Sequence, residues 1–358
     1  MKLPIKTIFK KASDTQKNIF SNSQTDLSYV VESKDWAVGY VGKKIVEGLK
    51  RSKFVNSRTT TTSLGIRGQI IHFGSLHTLA TEKGFKKVHS SNKIVLTWFH
   101  FIDEDKSNEK VFSHQEQLKF IHTSCHITKQ KILDFGIEPS RVVTIPLGVD
   151  LSLFYQVDLG IRREAKNVLG IPNDNLVVGS FQKDGVGWGD GTEPKLIKGP
   201  DIFVKAVGEL AKNYPVFVLL VGPARGYVKK ELEKRGVAYK SVGYLANFNE
   251  VVNLYKALDL YLVTSRIEGG PQAILESMAS GVPLVSTKAG MAPDVIIDGE
   301  NGFLAQVDDV EEIVQKAKLI IESQVLREKL VKNALATVKD YSWENISQKY
   351  LQEIYLKL

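Results

Sequence analysis

Two glutamates, Glu268 and Glu276, stand with seven residues between them in the stretch SRIEGGPQAILESMASGVPLV. Glu268 is followed by Gly269, Gly270 and Pro271, and proline suits the opening position of a helix. Residues 260–264 just before read as a strand, so the segment predicts a strand, a tight glycine turn and a helix N-terminus. The bare backbone N–H groups and positive dipole end of such a turn suit a phosphate or a polar sugar. Glu268 belongs in the loop, at the mouth of a site. Glu276, over one turn into the helix, offers two acceptor oxygens to a hydroxyl-rich group. Taken alone, the pair also fits an ordinary helix-entry glutamate followed by a solvated one, so the flanks must decide.

The chain that positions these carboxylates has 358 residues, 43% hydrophobic and 25% charged. That is a globular composition at a length suited to two domains, and it excludes a disordered or fibrous chain. The one cysteine, Cys125, excludes an internal disulfide framework and a cysteine zinc site. No apolar run approaches the ~20 residues of a membrane span. Residues 1–11 are basic but lack an apolar signal core, so the expected compartment is the cytoplasm. Residues 1–150 hold 23 Lys and Arg against 14 Asp and Glu, and residues 151–358 hold 25 against 26. A basic first half attracts polyanions, an acidic glycan or the anionic face of a membrane among them. A solvated lysine-rich surface gives the same balance. No nucleic-acid-binding motif is present, and no nucleic-acid partner is expected.

The pattern along the chain is strand, then helix, repeatedly. Residues 1–26 carry polar stretches and few periodic apolar positions and are expected to be poorly ordered. Strands are expected at 27–31, 69–73, 94–99, 120–124 and 142–145, with helices at 36–50 and 127–135 and a polar loop at 103–110. In the second half, strands are expected at 176–181, 216–221, 240–242, 260–264 and 283–286, and a helix from Pro200 to about residue 214. The run VFVLLV at 216–221 fits a parallel strand covered on both faces. Strands alternating with helices imply an α/β fold with parallel sheets and right-handed crossovers. The expected organisation is a first Rossmann-like domain at 27–150, a linker at 151–170, a second Rossmann-like domain at 171–340 and a terminal helix at 341–358. Ligands in such folds sit at the carboxyl ends of strands.

Glu268-Gly269-Gly270-Pro271, Leu275-Glu276, Ala279-Ser280-Gly281-Val282-Pro283 and Asp298-Gly299-Glu300-Asn301-Gly302 occur in that order over 35 residues. Together they closely resemble the C-terminal domain of family 4 retaining glycosyltransferases (glycosyl transferases group 1), which have the two-domain GT-B fold. The resemblance is good from about residue 176 onward and weaker across 27–150. It implies a nucleotide-diphospho-sugar donor on the C-terminal domain, an acceptor on the N-terminal domain, and reaction in the cleft between their sheets. It also implies a terminal helix that packs back on the N-terminal domain. The activity implied is transfer to a hydroxyl with retention, by front-face attack, in cytoplasmic polysaccharide biosynthesis.

Carried over residue by residue, the resemblance puts Glu268 beside the donor sugar. Gly269, Gly270 and Pro271 are placed at the sugar and diphosphate, and Glu276 at the ribose hydroxyls. Lys198, before the helix at Pro200, matches the family's diphosphate lysine. The family's arginine after the first strand corresponds to Ser180, a departure, and Lys183 is the substitute candidate. Gln182 and Gly222, at the ends of two expected strands, complete the donor-binding set. In the first half, His100 matches a histidine that family members carry at a strand end near the transferred sugar. Gly74, in the turn flanked by His72 and His77, could bring its backbone to the diphosphate. The segment 184–191 has four glycines and Trp188 in eight residues and reads as a lid, a pocket wall or a long mobile loop. Asp103-Glu104-Asp105 has the form of a metal-binding Asp-x-Asp but reads as solvated. No metal and no cofactor is expected, the nucleotide-sugar being substrate. Expected partners are that donor, a glycan or lipid-linked acceptor, and peripheral contact with anionic membrane. A nucleotide-sugar epimerase and an inactive sugar-binding subunit share the fold; Glu268, Glu276 and Lys198 argue against the inactive subunit, Ser180 in place of the arginine leaves it open, and a donor incubated without acceptor separates the epimerase.

Overall fold

The computed structural model describes residues 5–32, 37–52, 55–245 and 247–358. The chain divides into two compact units, the first formed by Met1–Gly148 with Trp343–Leu358, the second by Val149–Ser342. Among the described residues each unit is built on one six-stranded, wholly parallel sheet. Parallel neighbours need long crossovers, and helices supply them.

In the first unit the strands are β1 (Leu27–Val30), β2 (Ser57–Thr60), β3 (Ile70–Phe73), β6 (Lys93–Thr97), β7 (Leu118–Thr123) and β8 (Val142–Thr144), in the order β2-β1-β3-β6-β7-β8. A small antiparallel pair, β4 (Ala80–Thr81) and β5 (Gly84–Phe85), stands apart. Phe73, Leu96, Trp98 and Ile121 belong to one buried cluster. Opposite, four neighbouring strands present Tyr29, His72, Thr97 and His122, all fully buried. The terminal segment closes over them. The Tyr355 hydroxyl lies 2.6 Å from His72 Nδ1, His72 Nε2 is 2.7 Å from Thr97 Oγ1, and the Tyr350 hydroxyl is 2.9 Å from His122 Nε2. Burial pushes His72 well down and His122 down to about 4. Both imidazoles are therefore neutral near pH 7 and can donate and accept.

The second unit orders β9 (Leu176–Phe181), β10 (Val216–Val221), β11 (Ala238–Val242), β12 (Leu260–Val263), β13 (Leu284–Thr287) and β14 (Phe303–Ala305) as β11-β10-β9-β12-β13-β14. The apolar run of β10 lies between β9 and β11, and its Val218 and Leu220 pack with Phe203, Val207 and Leu210 of the helix Pro200–Leu210.

Three expectations are corrected. Residues 1–26 contain a helix, Ile5–Phe20, anchored by polar groups: Asn18 donates to the carbonyls of Thr62 and Leu64, and Asp14 accepts from Thr61. Core-seeking periodicity misses a helix held by its polar side. The linker at 151–170 is part of the second unit and contains the helix Leu159–Val168, whose buried Lys166 pairs with Asp259 at 2.7 Å. The polar loop at 103–110 contains the start of a helix, Ser107–Phe112, with Asp105 accepting from the Ser107 amide. The helix read at 36–50 is Ala37–Ser52; Trp36 lies outside the described residues.

The terminal helix Trp343–Glu353 packs so closely on the helix Ala37–Ser52 that a Cβ at Gly48 would overlap the Ser347 side chain. Gly48→Ala is expected to lower stability by about 1–3 kcal/mol through overpacking. Ser347→Gly in the same chain should recover part of that loss, a coupling read from urea denaturation of the two single variants and the double.

Candidate functional site

The loops after β9 and β12 are stitched together over 70 positions of sequence. Arg266 and Ile267 donate their amides to the Ile197 carbonyl, at 2.9 and 3.1 Å. The Arg266 guanidinium grips both Asp201 oxygens at 2.8 Å and the Leu196 carbonyl at 2.7 Å. Thr264 donates its hydroxyl to the Gly199 carbonyl at 2.9 Å. Gly199 has φ +61°, and a Cβ there would run into the Thr264 carbonyl, so only glycine lets the two loops close.

On this frame Glu268 is buried, with Lys198 Nζ at 2.6 Å from its Oε1 and Ser265 donating to the same oxygen at 2.9 Å. Thr287, from β13, fixes Ser265 by donating to its carbonyl at 2.6 Å. Gly290, at φ +57°, lies against the Glu268–Gly269 backbone, where a Cβ would sit 2.5 Å from the Gly269 carbonyl. Gly269 and Pro271 are buried, Gly270 is half-buried, and the helix Gln272–Ala279 begins just after Pro271.

Glu276, in that helix, is buried too. Its Oε2 accepts from the Tyr255 hydroxyl at 3.0 Å, while its Oε1 is buried with no hydrogen-bond partner among the described residues. Burial raises Glu276 to about 7 against the opposing pull of the Tyr255 hydrogen bond. Tyr255 stacks on Tyr261, whose hydroxyl accepts from the Phe181 amide at 2.7 Å, so the end of β9 is tied to the same carboxylate.

Lys183 lies with Nζ 4.8 Å from the Trp188 ring centre, a cation–π contact. Lys195 is lowered first by burial and then by Lys198 and Lys183, with Glu268 opposing. The Lys195 ammonium thus feels both other lysines, of which Lys198 pairs with Glu268. Gln182 donates its side-chain amide to the Lys198 carbonyl at 3.3 Å, which makes it a support for the lysine. Gly222 donates its N–H to Gly243 and packs on the Gln182 carbonyl, and Gly74 donates its N–H to Val30 and packs on Tyr29. Both are close-packing glycines whose N–H groups are already used, so neither offers a backbone donor to a diphosphate. His100 and Gly74 belong to the first unit.

Ser180 is not empty of arginine. Arg225, fully buried, donates to the Ser180 carbonyl at 2.6 Å and to its hydroxyl at 3.0 Å, also reaches the Val221 and Gln182 carbonyls, and ion-pairs with buried Asp184 at 2.9 Å. Burial raises Asp184 despite that cation. The 184–191 segment is likewise docked. Gly226 and Tyr227 donate their amides to the Asp190 and Gly191 carbonyls, and Val186 to Glu193. This replaces the long-mobile-loop reading. Asp103 and Asp105 lie 3.5 Å from Lys131 and His77 respectively, and among the described residues no group of three His, Cys, Asp or Glu could hold a metal ion.

Sequence reasoning missed Ser265, Thr287, Gly290, Tyr255, Lys195 and Arg225. Ser265, three residues before Glu268, was findable from spacing; the others reach the site from distant segments.

Two Rossmann-like units in one chain, with these loops at the ends of the second sheet's strands, define a protein of the GT-B fold. Residues 194–337, all within the second unit, match the family model of glycosyl transferases group 1. The chain is similar to D-inositol 3-phosphate glycosyltransferase of Actinosynnema mirum, 27% identical over 61% of this chain and 52% of that one. It is 30% identical, over 44% of each, to the GalNAc-alpha-(1->4)-GalNAc-alpha-(1->3)-diNAcBac-PP-undecaprenol alpha-1,4-N-acetyl-D-galactosaminyltransferase of Campylobacter jejuni. The chain spans about half the length of the curated relatives it matches. The solved structure of Anabaena HepE in complex with UDP and glucose shares the fold, with a TM-score of 0.73 and 18% identity over 93% of this chain and all of that one.

Two outcomes follow from the buried charges. Arg225→Met strands Asp184 and is expected to cost about 3–5 kcal/mol, most of it recovered when Asp184→Leu is added; denaturant unfolding of both reads the difference. Glu276 has a folded pKa of about 7 above its ordinary 4.5. Its stabilising contribution is therefore complete below pH 4.5 and is lost as the pH rises to 7. Glu276→Gln should gain on wild type across that window by on the order of 1–3 kcal/mol and then level off, as measured by denaturation at a series of pH values.

Proposed function

We propose that the chain is a retaining glycosyltransferase, moving a hexose-type sugar from a nucleotide-diphospho-sugar to a hydroxyl of a glycan or lipid-linked glycan. The observation that carries this reading is the buried Glu268 held by the half-buried Lys198 at 2.6 Å, followed in the next helix by Glu276 with one oxygen unpartnered among the described residues. The group 1 match supports it, as do the UDP and UDP-glucose complexes of HepE and the undecaprenol-linked glycan in the Campylobacter enzyme's name.

In this reaction Glu276 Oε1 accepts from the ribose hydroxyls, which ends its isolation. Gly269 and Gly270 present backbone N–H groups to the sugar and diphosphate. Lys198, with Lys195 and Lys183 beside it, balances the charge that grows on the leaving diphosphate, an electrostatic contribution to the transition state. Glu268 contacts the sugar hydroxyls and stabilises positive charge at the anomeric carbon. The bond from that carbon to the phosphate oxygen breaks, the acceptor oxygen bonds on the same face, and the acceptor proton passes to the departing phosphate.

A panel of nucleotide-sugars in a thermal-shift screen identifies the donor, because a ligand of the native state raises its melting point. With that donor, Glu268→Ala is expected to cut turnover about 100- to 1,000-fold, and Glu276→Ala to weaken donor binding by about tenfold or more. Turnover and donor affinity both at wild-type level in these variants defeat the assignment. An epimerised sugar formed without acceptor moves it to the epimerase class.

A further inference from the structure

The helix Ile5–Phe20 is mounted inside out. Its polar side faces the first unit, through Asp14 to Thr61 and Asn18 to Thr60, Thr62 and Leu64. At 3.6 residues per turn, Ile8, Ile19, Ala12, Gln16, Phe9 and Phe20 fall within one sector of about 120° on the other side. That sector is open to solvent: Ile8 is 53% exposed, Ile19 57%, Phe9 71% and Phe20 76%. Leu64, whose carbonyl holds Asn18, adds a further apolar side chain at 63% exposure. Free polar side chains could have faced water and the apolar ones the core; the fold does the reverse. An exposed apolar stripe of this kind marks a surface that is covered in use.

Charge selects the cover. Lys6, Lys10 and Lys17 fall together on the flank next to Phe20, all exposed and in no ion pair among the described residues. The helix's one acid, Asp14, is turned inward onto Thr61. A second copy would set lysine flank against lysine flank, whereas an anionic lipid surface neutralises the flank while its acyl boundary takes the phenylalanines. At 16 residues the helix lies in an interface rather than crossing it, and among the described residues no helix is long and apolar enough to cross a membrane.

We propose that the outer face of the helix Ile5–Phe20 is a docking surface for anionic membrane, with Phe9 and Phe20 entering the acyl boundary and Lys6, Lys10 and Lys17 on the headgroups. The surface stands on the first unit and involves none of the donor-site residues, so its test is independent of transfer.

The full chain is floated with vesicles of phosphatidylcholine alone and of phosphatidylcholine with about 30% phosphatidylglycerol. Binding is expected to the anionic vesicles, to fall steeply by about 0.5 M salt, and to drop about tenfold or more both for Phe9→Ser with Phe20→Ser and for Lys6→Glu with Lys10→Glu and Lys17→Glu. Melting temperatures should match wild type, since these side chains are exposed. Equal partition to both vesicles, no flotation, or undiminished binding of either variant overturns the proposal. So does a dimer in light scattering that the double serine variant abolishes, which gives the face to a second copy.

Discussion

The ion pair between Lys198 and Glu268 is where the second unit's architecture converges. The buried Glu268 carboxylate would carry a penalty of several kcal/mol alone, and the half-buried Lys198 compensates it only at close range. Holding 2.6 Å between residues 70 positions apart requires two loops fixed to each other. The Ile197 carbonyl, the Arg266–Asp201 fork and the left-handed Gly199 do that work, and β9 and β12 run side by side beneath them. Tyr255 and Tyr261 extend the same logic to Glu276. A hydroxyl donates to one carboxylate oxygen and leaves the other bare, which burial makes costly and a ligand hydroxyl would relieve.

Much of this frame was legible before any coordinates, for identifiable reasons. The run Val216–Val221 is apolar at every position because its strand is covered on both faces, and the turn from Glu268 to Pro271 announces a helix start. Lys198, before a proline-led helix, was placed by the resemblance to the family rather than by its own type or spacing. Arg225, Lys195 and Gly290 carry no such local mark; each matters because of a group contributed by another loop. The helix Ile5–Phe20 and the helix Leu159–Val168 escaped for a related reason. Both are fastened through polar or charged side chains, Asn18 and Asp14 in one, Lys166 in the other, and their large apolar side chains lie exposed, so apolar periodicity does not point to the side each one buries.

The first unit shows that histidine position alone says little about chemistry. His72 lies on a strand near a glycine turn, the setting in which a cleft residue is sought. Its ring instead lies fully buried between Thr97 and Tyr355, sharing a polar layer with His122 and Tyr350. Such a layer is expensive unless each member finds partners, and neutral imidazoles, which donate at one nitrogen and accept at the other, can link hydroxyls on both sides. The terminal segment is thereby held in register by hydrogen bonds as well as by the glycine contact at Gly48.

Arg225 bears on the chemistry assigned to the second unit. A guanidinium reaches Ser180 from the neighbouring strand's loop, yet its donors are used on the Ser180, Gln182 and Val221 carbonyls, the Ser180 hydroxyl and Asp184. It organises the ends of β9 and β10 and docks the 184–191 segment through Asp184. In the proposed reaction the charge on the diphosphate then falls to lysines, which act as compact, movable point charges where an arginine would have imposed a bidentate geometry. Movable cations need a surrounding that sets their reach. The docked segment provides it, placing Trp188 against Lys183 and holding the Lys195 amide on the Asp184 carbonyl at 2.7 Å. The buried Arg225–Asp184 pair is thus a structural device: it fixes the segment against which Lys183 and the Lys195 backbone are held.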